Sequence, residues 1–210
     1  MRSQADGQIA LFQHSANPER NLLPKDGRVE YYGPVFPFTT ASHYLEVLMK
    51  TIDWRNDETI IFGKKIRTKR EVAWYGDRAY AYTYSKTTKY ALPWTALLME
   101  IKAAIENCCG ESFNSCLLNL YHDGSEGMGW HSDNEPELKK DGAIASVSFG
   151  AARKFSFKHK QSGDKTALIL EHGSLLIMKE STQRNWLHQL PPAKSITTPR
   201  VNLTFRTMNQ

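Results

Sequence analysis

Arg200-Val201-Asn202-Leu203-Thr204-Phe205-Arg206 alternates without a break. On a strand, neighbouring side chains point to opposite faces. Val201, Leu203 and Phe205 therefore share an apolar face, and Arg200, Asn202, Thr204 and Arg206 a polar one. The ordinary reading of such a strand is half exposure, with the polar face in water. If the polar face is buried instead, its arginines need anionic partners. A small dicarboxylate supplies them through bidentate guanidinium–carboxylate pairs.

Working back from that strand, short β-like runs separated by turn signals occupy residues 115–122, 143–149, 153–159, 166–170, 174–178, 185–190 and 200–207. Gln161-Ser162-Gly163-Asp164 reads as a hairpin turn between two of them. Many short strands at this spacing predict a mainly β, α+β chain with a jelly-roll core, a double-stranded β-helix, and helices outside it. Pro93 in a first turn, a stripe of Leu97, Leu98, Ile101, Ala104, Ile105 and Cys108, and a terminal Gly110 predict one helix. Thr39, Thr40 or Ser42 is expected to cap another that carries Leu45, Leu48, Met49 and Ile52. Residues 1–30 are expected to wrap the surface. Residues 60–90 read as short strands and loops, with a turn at Phe62-Gly63.

His131-Ser132-Asp133 carries the chemistry. On an extended segment, residues two apart face the same side, so His131 and Asp133 can converge. A second histidine from another strand would complete the facial triad of a non-haem Fe(II) oxygenase, with open positions on the far side of the metal. His159, His172 and His188 are the downstream candidates. His188 sits in a buried-strand pattern, Asn185-Trp186-Leu187-His188-Gln189-Leu190. His172 precedes a turn glycine and His159 lies among lysines, so both read as solvated. Asn119 and Tyr121 share a face of their strand and add donors to the same ligand. Triad and anion clamp together point to Fe(II) and 2-oxoglutarate.

The chain has 210 residues, 40% of them hydrophobic and 23% charged. That composition is enough for a packed core and excludes global disorder. Mean hydropathy is −0.51, no apolar run is long enough to cross a bilayer, and the first residues lack a secretory apolar region. Three close-set cysteines do not make a disulfide framework or a zinc-finger spacing; they read as small buried hydrophobes in a reducing compartment. The net charge of +5 is concentrated in residues 55–90, where nine Lys and Arg face four Asp and Glu. Phe62, Trp74, Tyr75, Tyr80, Tyr82, Tyr84 and Tyr90 stand among them. A solvated basic face explains the charge; cations beside flat rings also suit phosphates and bases. Arg153, Lys158 and Lys160 form a second basic stretch, read as support for a nucleic-acid strand or as a solvated hairpin. Trp130 and Trp186 read as core.

Asn119-Leu120-Tyr121-x-x-Gly124, His131-Ser132-Asp133-x-Glu135, Ala145-Ser146-Val147-Ser148-Phe149-Gly150, His172-Gly173-Ser174-Leu175-Leu176 and Pro199 through Arg206 together resemble the AlkB family of Fe(II)/2-oxoglutarate dioxygenases. The likeness runs over about residues 55–207. It is strongest to the branch that repairs duplex DNA, through Phe62-Gly63-Lys64, Arg70, Tyr75-Gly76-Asp77 and Tyr82-Thr83-Tyr84-Ser85. The resemblance implies oxidative demethylation of 1-methyladenine and 3-methylcytosine in DNA, releasing formaldehyde, succinate and CO2, with O2 consumed. It implies iron on His131, Asp133 and His188. It implies 2-oxoglutarate on Arg200, Asn119 and Tyr121, with Asn202 and Arg206 completing the pocket. On the substrate side it implies that Tyr84 and His131 sandwich a flipped base, with Tyr82 and Glu135 at its polar edge and Ser85 beside them. Phe62 would wedge into the duplex, and Arg70 would touch phosphate or the flipped region. Two positions depart from that branch: Tyr84 stands where it has Phe, and Asn134 where it has an acid.

The expected layout is an N-terminal part, residues 1–110, holding the helices and a nucleotide-recognition lid, joined in one compact unit to a catalytic core at 111–210. The expected protein is a monomer without a membrane anchor, not secreted, in the cytoplasm of a bacterium or the nucleus of a eukaryote. The alternatives are an RNA demethylase, a 2-oxoglutarate oxygenase for protein or small molecules, and a silent nucleic-acid-binding module.

Overall fold

The computed structural model describes residues 16–61, 64–84 and 87–209, the side chains of 57–61, 64–66, 82–84 and 87–89 excepted. The first part of the chain runs β1 (Arg28–Pro34), α1 (Phe38–Thr51), β2 (Arg55–Ile61), β3 (Lys64–Gly76), β4 (Ala81–Tyr84), β5 (Thr87–Tyr90), β6 (Leu92–Pro93) and α2 (Ala96–Cys109). The second runs β7 (Ser115–Tyr121), β8 (Met128–His131), β9 (Ile144–Gly150), β10 (Arg153–His159), β11 (Lys165–Leu170), β12 (Ser174–Lys179), α3 (Thr182–Asn185), β13 (Trp186–Leu190) and β14 (Arg200–Arg206).

Two sheets face each other. The major sheet has the order β1-β12-β9-β14-β7-β3-β2, and the minor sheet the order β11-β10-β13-β8. This is the jelly roll that the strand spacing predicted. β14 lies between β9 and β7, so the quoted strand is central and both its faces are covered. Val201, Leu203 and Phe205 are fully buried in a cluster with Leu48 of α1 and Leu98, Ile101 and Ile105 of α2. Each such side chain contributes roughly 1.5–3 kcal/mol on burial. The polar face turns inward, toward the minor sheet. A second cluster, with Phe157, Leu170, Leu176, Trp186 and Tyr121, fills the space between the sheets.

The helices differ in detail from expectation. α2 starts after Thr95, whose side chain accepts the Leu98 N–H at 3.2 Å, and ends on Gly110 at φ 71°. Pro93 lies before it in β6, parallel to β3. Ala104 and Cys108 are exposed, because the apolar stripe is only as wide as the sheet beneath it. α1 starts at Phe38, behind Pro37 and without a side-chain cap. Thr39, Thr40 and Ser42 are therefore inside its first turns, and Met49 points outward.

Residues 60–90 contain one long strand, the 13-residue β3, rather than only short ones. β3 pairs with β7, and β1 pairs with β12, so the major sheet crosses the expected division at residue 110. Leu23 and Val29, expected at the surface, enter the inter-sheet core. No helix among the described residues is long and apolar enough to cross a membrane.

Candidate active site

β8 and β13 pair antiparallel with His131 directly opposite His188. Their ring centres are 4.2 Å apart. Asp133 follows two residues after His131, and its backbone N–H donates to Gln183 Oε1 at 2.9 Å, which holds the loop. Asp133 Oδ1 lies 3.7 Å from His131 Nε2 and 4.0 Å from His188 Nε2. One ligand atom from each of the three falls within 4.8 Å of the others.

The protonation pattern suits a cation. His131 Nδ1 lies 2.8 Å from the Gly129 carbonyl, which only accepts, so Nδ1 carries the proton and Nε2 keeps its lone pair. Burial pushes the His188 imidazole down to about 4, against the pull of Asp133, so it is neutral at physiological pH. Burial alone would raise the Asp133 carboxyl, but the Arg206 guanidinium beside it holds it below the ordinary range. Two imidazole nitrogens and one carboxylate oxygen are the donor set for Fe(II).

Arg200 opens β14, directly opposite Tyr121 of β7 and Gly150 of β9. It is 2% exposed. Its Nη2 donates to Ser148 Oγ at 2.9 Å, its Nε has no partner, and among the described residues no carboxylate pairs with it. Burial pushes its guanidinium down to about 10. A buried cation without an anion is unfavourable unless a ligand supplies one. This vacancy of charge fits one carboxylate of 2-oxoglutarate. The polar face of β14 is thus buried at Arg200, Asn202 and Thr204 rather than half exposed, and Arg206 has an anion in Asp133.

The neighbours of Arg200 are where the sequence placed them. Tyr121 is directly across on β7, with its ring centre 5.5 Å from the guanidinium carbon. Asn119 is buried one row down, opposite Asn202, and accepts a hydrogen bond from Arg70 Nη1. Asn202 donates to Ser146 Oγ and the Val147 carbonyl and accepts from Thr204. Arg206 Nη2 holds Asp133 Oδ2 at 2.9 Å, and its Nε is buried without a partner.

On the substrate side, Glu135 has a buried carboxylate oxygen with no hydrogen bond, and burial raises its pKa. It borders a cavity of about 400 Å³ with Asp133, Ile144, Gln183 and Arg206. Tyr82 and Tyr84 lie on β4, paired with β5, and their side chains are not among those described. Phe62 and Ser85 lie outside the described residues.

Burial differs from expectation at several residues. Arg70, expected at a phosphate or the flipped region, is 7% exposed and donates to Asn119. His159 is not solvated: it is 3% exposed, edge-on to Trp186, with Nδ1 accepting the Ser162 N–H. His172 is partly buried. Its Nδ1 accepts the Gly150 N–H and its Nε2 meets Ser42 Oγ, so it pins α1 to the sheet. Arg153 is buried at 1%, not part of a solvated basic run. Of the two tryptophans, Trp186 is core, whereas Trp130 is exposed. Among the cysteines only Cys116 is buried. Gln183, Ser148 and the Gly129 carbonyl carried no sequence signal, because their roles come from where the sheets bring them.

The profile of the 2OG-Fe(II) oxygenase superfamily matches residues 29–206. The human protein named DNA oxidative demethylase ALKBH2 is 38% identical over 204 residues, covering 92% of this chain and 78% of that protein. The human alpha-ketoglutarate-dependent dioxygenase alkB homolog 3 is 39% identical, covering 91% of this chain and 74% of that protein. The solved structure of OsALKBH1 shares the fold, with a TM-score of 0.60 at 16% identity over 88% of this chain and 99% of its own. The chain belongs to the 2OG-Fe(II) oxygenase superfamily, as an AlkB-family Fe(II)/2-oxoglutarate-dependent dioxygenase close to ALKBH2.

Proposed function

We propose that the protein is a DNA repair dioxygenase that removes N-linked methyl groups from 1-methyladenine and 3-methylcytosine and restores the base. The observation that carries the chemistry is the His131-Asp133-His188 cluster in a fold that also buries Arg200 with no carboxylate partner among the described residues. The likeness to a protein named DNA oxidative demethylase, over 92% of this chain, supports the substrate class.

His131, Asp133 and His188 would hold Fe(II), and Arg200 would pair with 2-oxoglutarate, with Asn119 and Tyr121 as further partners and Asn202 and Arg206 shaping the pocket. Iron with 2-oxoglutarate and O2 supplies the oxidising power that hydroxylates the methyl carbon, so that it leaves as formaldehyde beside succinate and CO2. The chain's own part is positioning. Gly129 sets the tautomer of His131, and Arg206 turns one oxygen of Asp133 away from the histidines.

A methyl on the pairing edge is hidden in a duplex, so the base must leave the stack, at a few kcal/mol. In this reading Tyr84 and His131 stack on the extruded base, for about 1–3 kcal/mol. Glu135, with its unsatisfied buried oxygen, and Tyr82 read the polar edge, with Ser85 beside them. Phe62 fills the gap left behind. Arg70 acts through Asn119, on the co-substrate side.

The test follows single 1-methyladenine oligonucleotides, duplex and single-stranded, by mass spectrometry after O2 is admitted to iron- and 2-oxoglutarate-loaded protein. Methyl loss that is absent in His131→Ala is the expected result. Succinate formed with the methyl retained would keep the iron site and overturn the substrate.

A further inference from the structure

Arg153 opens β10 and is 1% exposed, although it begins a run that reads as surface charge. Its guanidinium touches carbonyls. Nη2 donates to Glu126 O at 2.8 Å and Pro191 O at 2.9 Å, and Nη1 reaches Asp123 O at 3.5 Å. Its Nε is without a partner. Among the described residues no carboxylate pairs with it. The nearest, those of Asp123 and Glu126, are engaged elsewhere: Asp123 accepts the Ser125 N–H at 2.7 Å and Glu126 holds His122 at 3.0 Å. The charge is buried and not neutralised.

Arg200, from the facing sheet, is in the same condition. Both guanidinium carbons lie near the Tyr121 ring, Arg153 at 6.0 Å and Arg200 at 5.5 Å from its centre. A ring face offsets part of one cation's burial, not two. Like charges close together in a low-dielectric interior repel, so an acid group entering here offsets more than it would beside one arginine. The carbonyls that Arg153 bonds also belong to two loops that close on each other: Gly124 N–H donates to Ile196 O at 2.8 Å, and Ala193 N–H to Gly124 O at 2.6 Å. One of these loops leaves directly from Tyr121.

We propose that Arg153 is a second cation of the co-substrate site, a positioning and specificity-determining residue that acts through Tyr121 and makes the pocket select a 2-oxo acid bearing a second carboxylate. The proposal rests on the assignment of Arg200 to 2-oxoglutarate.

Thermal-shift titrations of Mn(II)-loaded protein, without turnover, compare 2-oxoglutarate with 2-oxopentanoate, which has the same chain length and no second carboxylate. Arg153→Gln keeps donors for the carbonyls and removes the charge; Arg153→Lys keeps the charge and removes the fork. Arg153→Gln is expected to bind 2-oxoglutarate about tenfold or more weakly, with a much smaller change for 2-oxopentanoate, while Arg153→Lys retains most of the preference. A wild-type ratio between the two ligands in Arg153→Gln overturns the proposal, whatever happens to Tm. If Arg153→Gln does not fold, Arg153→Met takes its place: a lowered preference for 2-oxoglutarate supports the proposal, and a wild-type ratio overturns it. Arg200→Met separates the underlying assignment. If it keeps the preference, or if the wild type has none, Arg200 does not hold the co-substrate and the proposal falls with it.

Discussion

Arg206 Nη2 sits 2.9 Å from Asp133 Oδ2, which leaves Oδ1 to face both His131 and His188. A residue at the end of the last strand thus orients a metal ligand in a loop more than seventy residues earlier in the chain.

Replacing Arg206 by Met frees Asp133 to rotate while leaving all three ligands in place. Loss of such an orienting partner lowers metal affinity about 10–100-fold. A Mn(II) or Fe(II) titration under anaerobic conditions reads it directly. His188→Ala should abolish binding, whereas His172→Ala should leave it intact, since His172 is committed to Gly150 and Ser42.

Arg200→Met removes a buried cation that has no anion in the ligand-free fold. Exchange of buried ionic groups for apolar ones of similar volume is neutral to stabilising, by about 1–4 kcal/mol. The variant's ligand-free Tm should equal or exceed that of the wild type. The wild type at a hundredfold excess of 2-oxoglutarate over Kd should gain about 2.7 kcal/mol, and the variant almost nothing. Differential scanning calorimetry with and without ligand measures both; a lower ligand-free Tm in the variant would contradict the account.

Gly124 and Gly110 should respond differently to alanine. A Cβ on Gly124 would lie 1.9 Å from the Ala193 carbonyl oxygen, which accepts the Ile196 N–H at 2.9 Å, while the Ala193 N–H donates to the Gly124 carbonyl at 2.6 Å. Gly124→Ala should cost about 3 kcal/mol or more. Gly110 has open space around it but a φ of 71°, so Gly110→Ala should cost only about 1 kcal/mol. Urea denaturation separates the two.

His172 gives an acid-side signature. Burial lowers its pKa below 6.5, and its Nδ1 must stay unprotonated to accept the Gly150 N–H. The unfolded chain takes up that proton more readily than the folded one. The stability tied to neutral His172 is therefore complete above about pH 6.5 and is lost as the pH falls through the folded pKa. Metal-free His172→Gln should lose less Tm than the wild type between about pH 6.5 and 5. Parallel curves would mean that another group carries the acid dependence.

Glu30 provides a second, lower window. Burial would raise its carboxyl, but hydrogen bonds and charge from Arg28 and Lys179 hold it below the ordinary value. Its contribution is present above about pH 4.5 and lost as the pH falls through the folded pKa. Glu30→Gln should flatten the Tm profile there and, by leaving Arg28 and Lys179 without their shared anion, lower Tm at neutral pH.

Strands of period two were legible because the inner and outer faces of the sheets are both buried but differ in chemistry. Val201, Leu203 and Phe205 pack on helices, while Arg200, Asn202 and Thr204 are buried on the opposite face. The triad was legible for a related reason: His131 and Asp133 are two apart on extended chain, and His188 stands in an apolar strand. Helix starts were less so, since Pro37 ends α1 backwards without a capping side chain and Thr95 was hidden behind Pro93.

Burial of single charged or polar residues was not legible. Arg153, His159 and Arg70 look like surface residues because each stands among lysines or arginines in a strand whose outward neighbours are charged. Which of two alternating faces is covered depends on what another part of the chain lays over it, and that is a tertiary fact.

The alternation of residues 200–206, the H-x-D spacing and the turn glycines are local properties, and they determined by themselves a jelly roll with an iron triad and an arginine-lined face. The pairing of His131 with His188, the hold of Arg206 on Asp133 and the burial of Arg153 and Arg200 beside one tyrosine were decided only when two sheets closed on each other. Hydrogen bonds and charges act over a few ångströms, and only folding brings residues 121, 153 and 200 within that range.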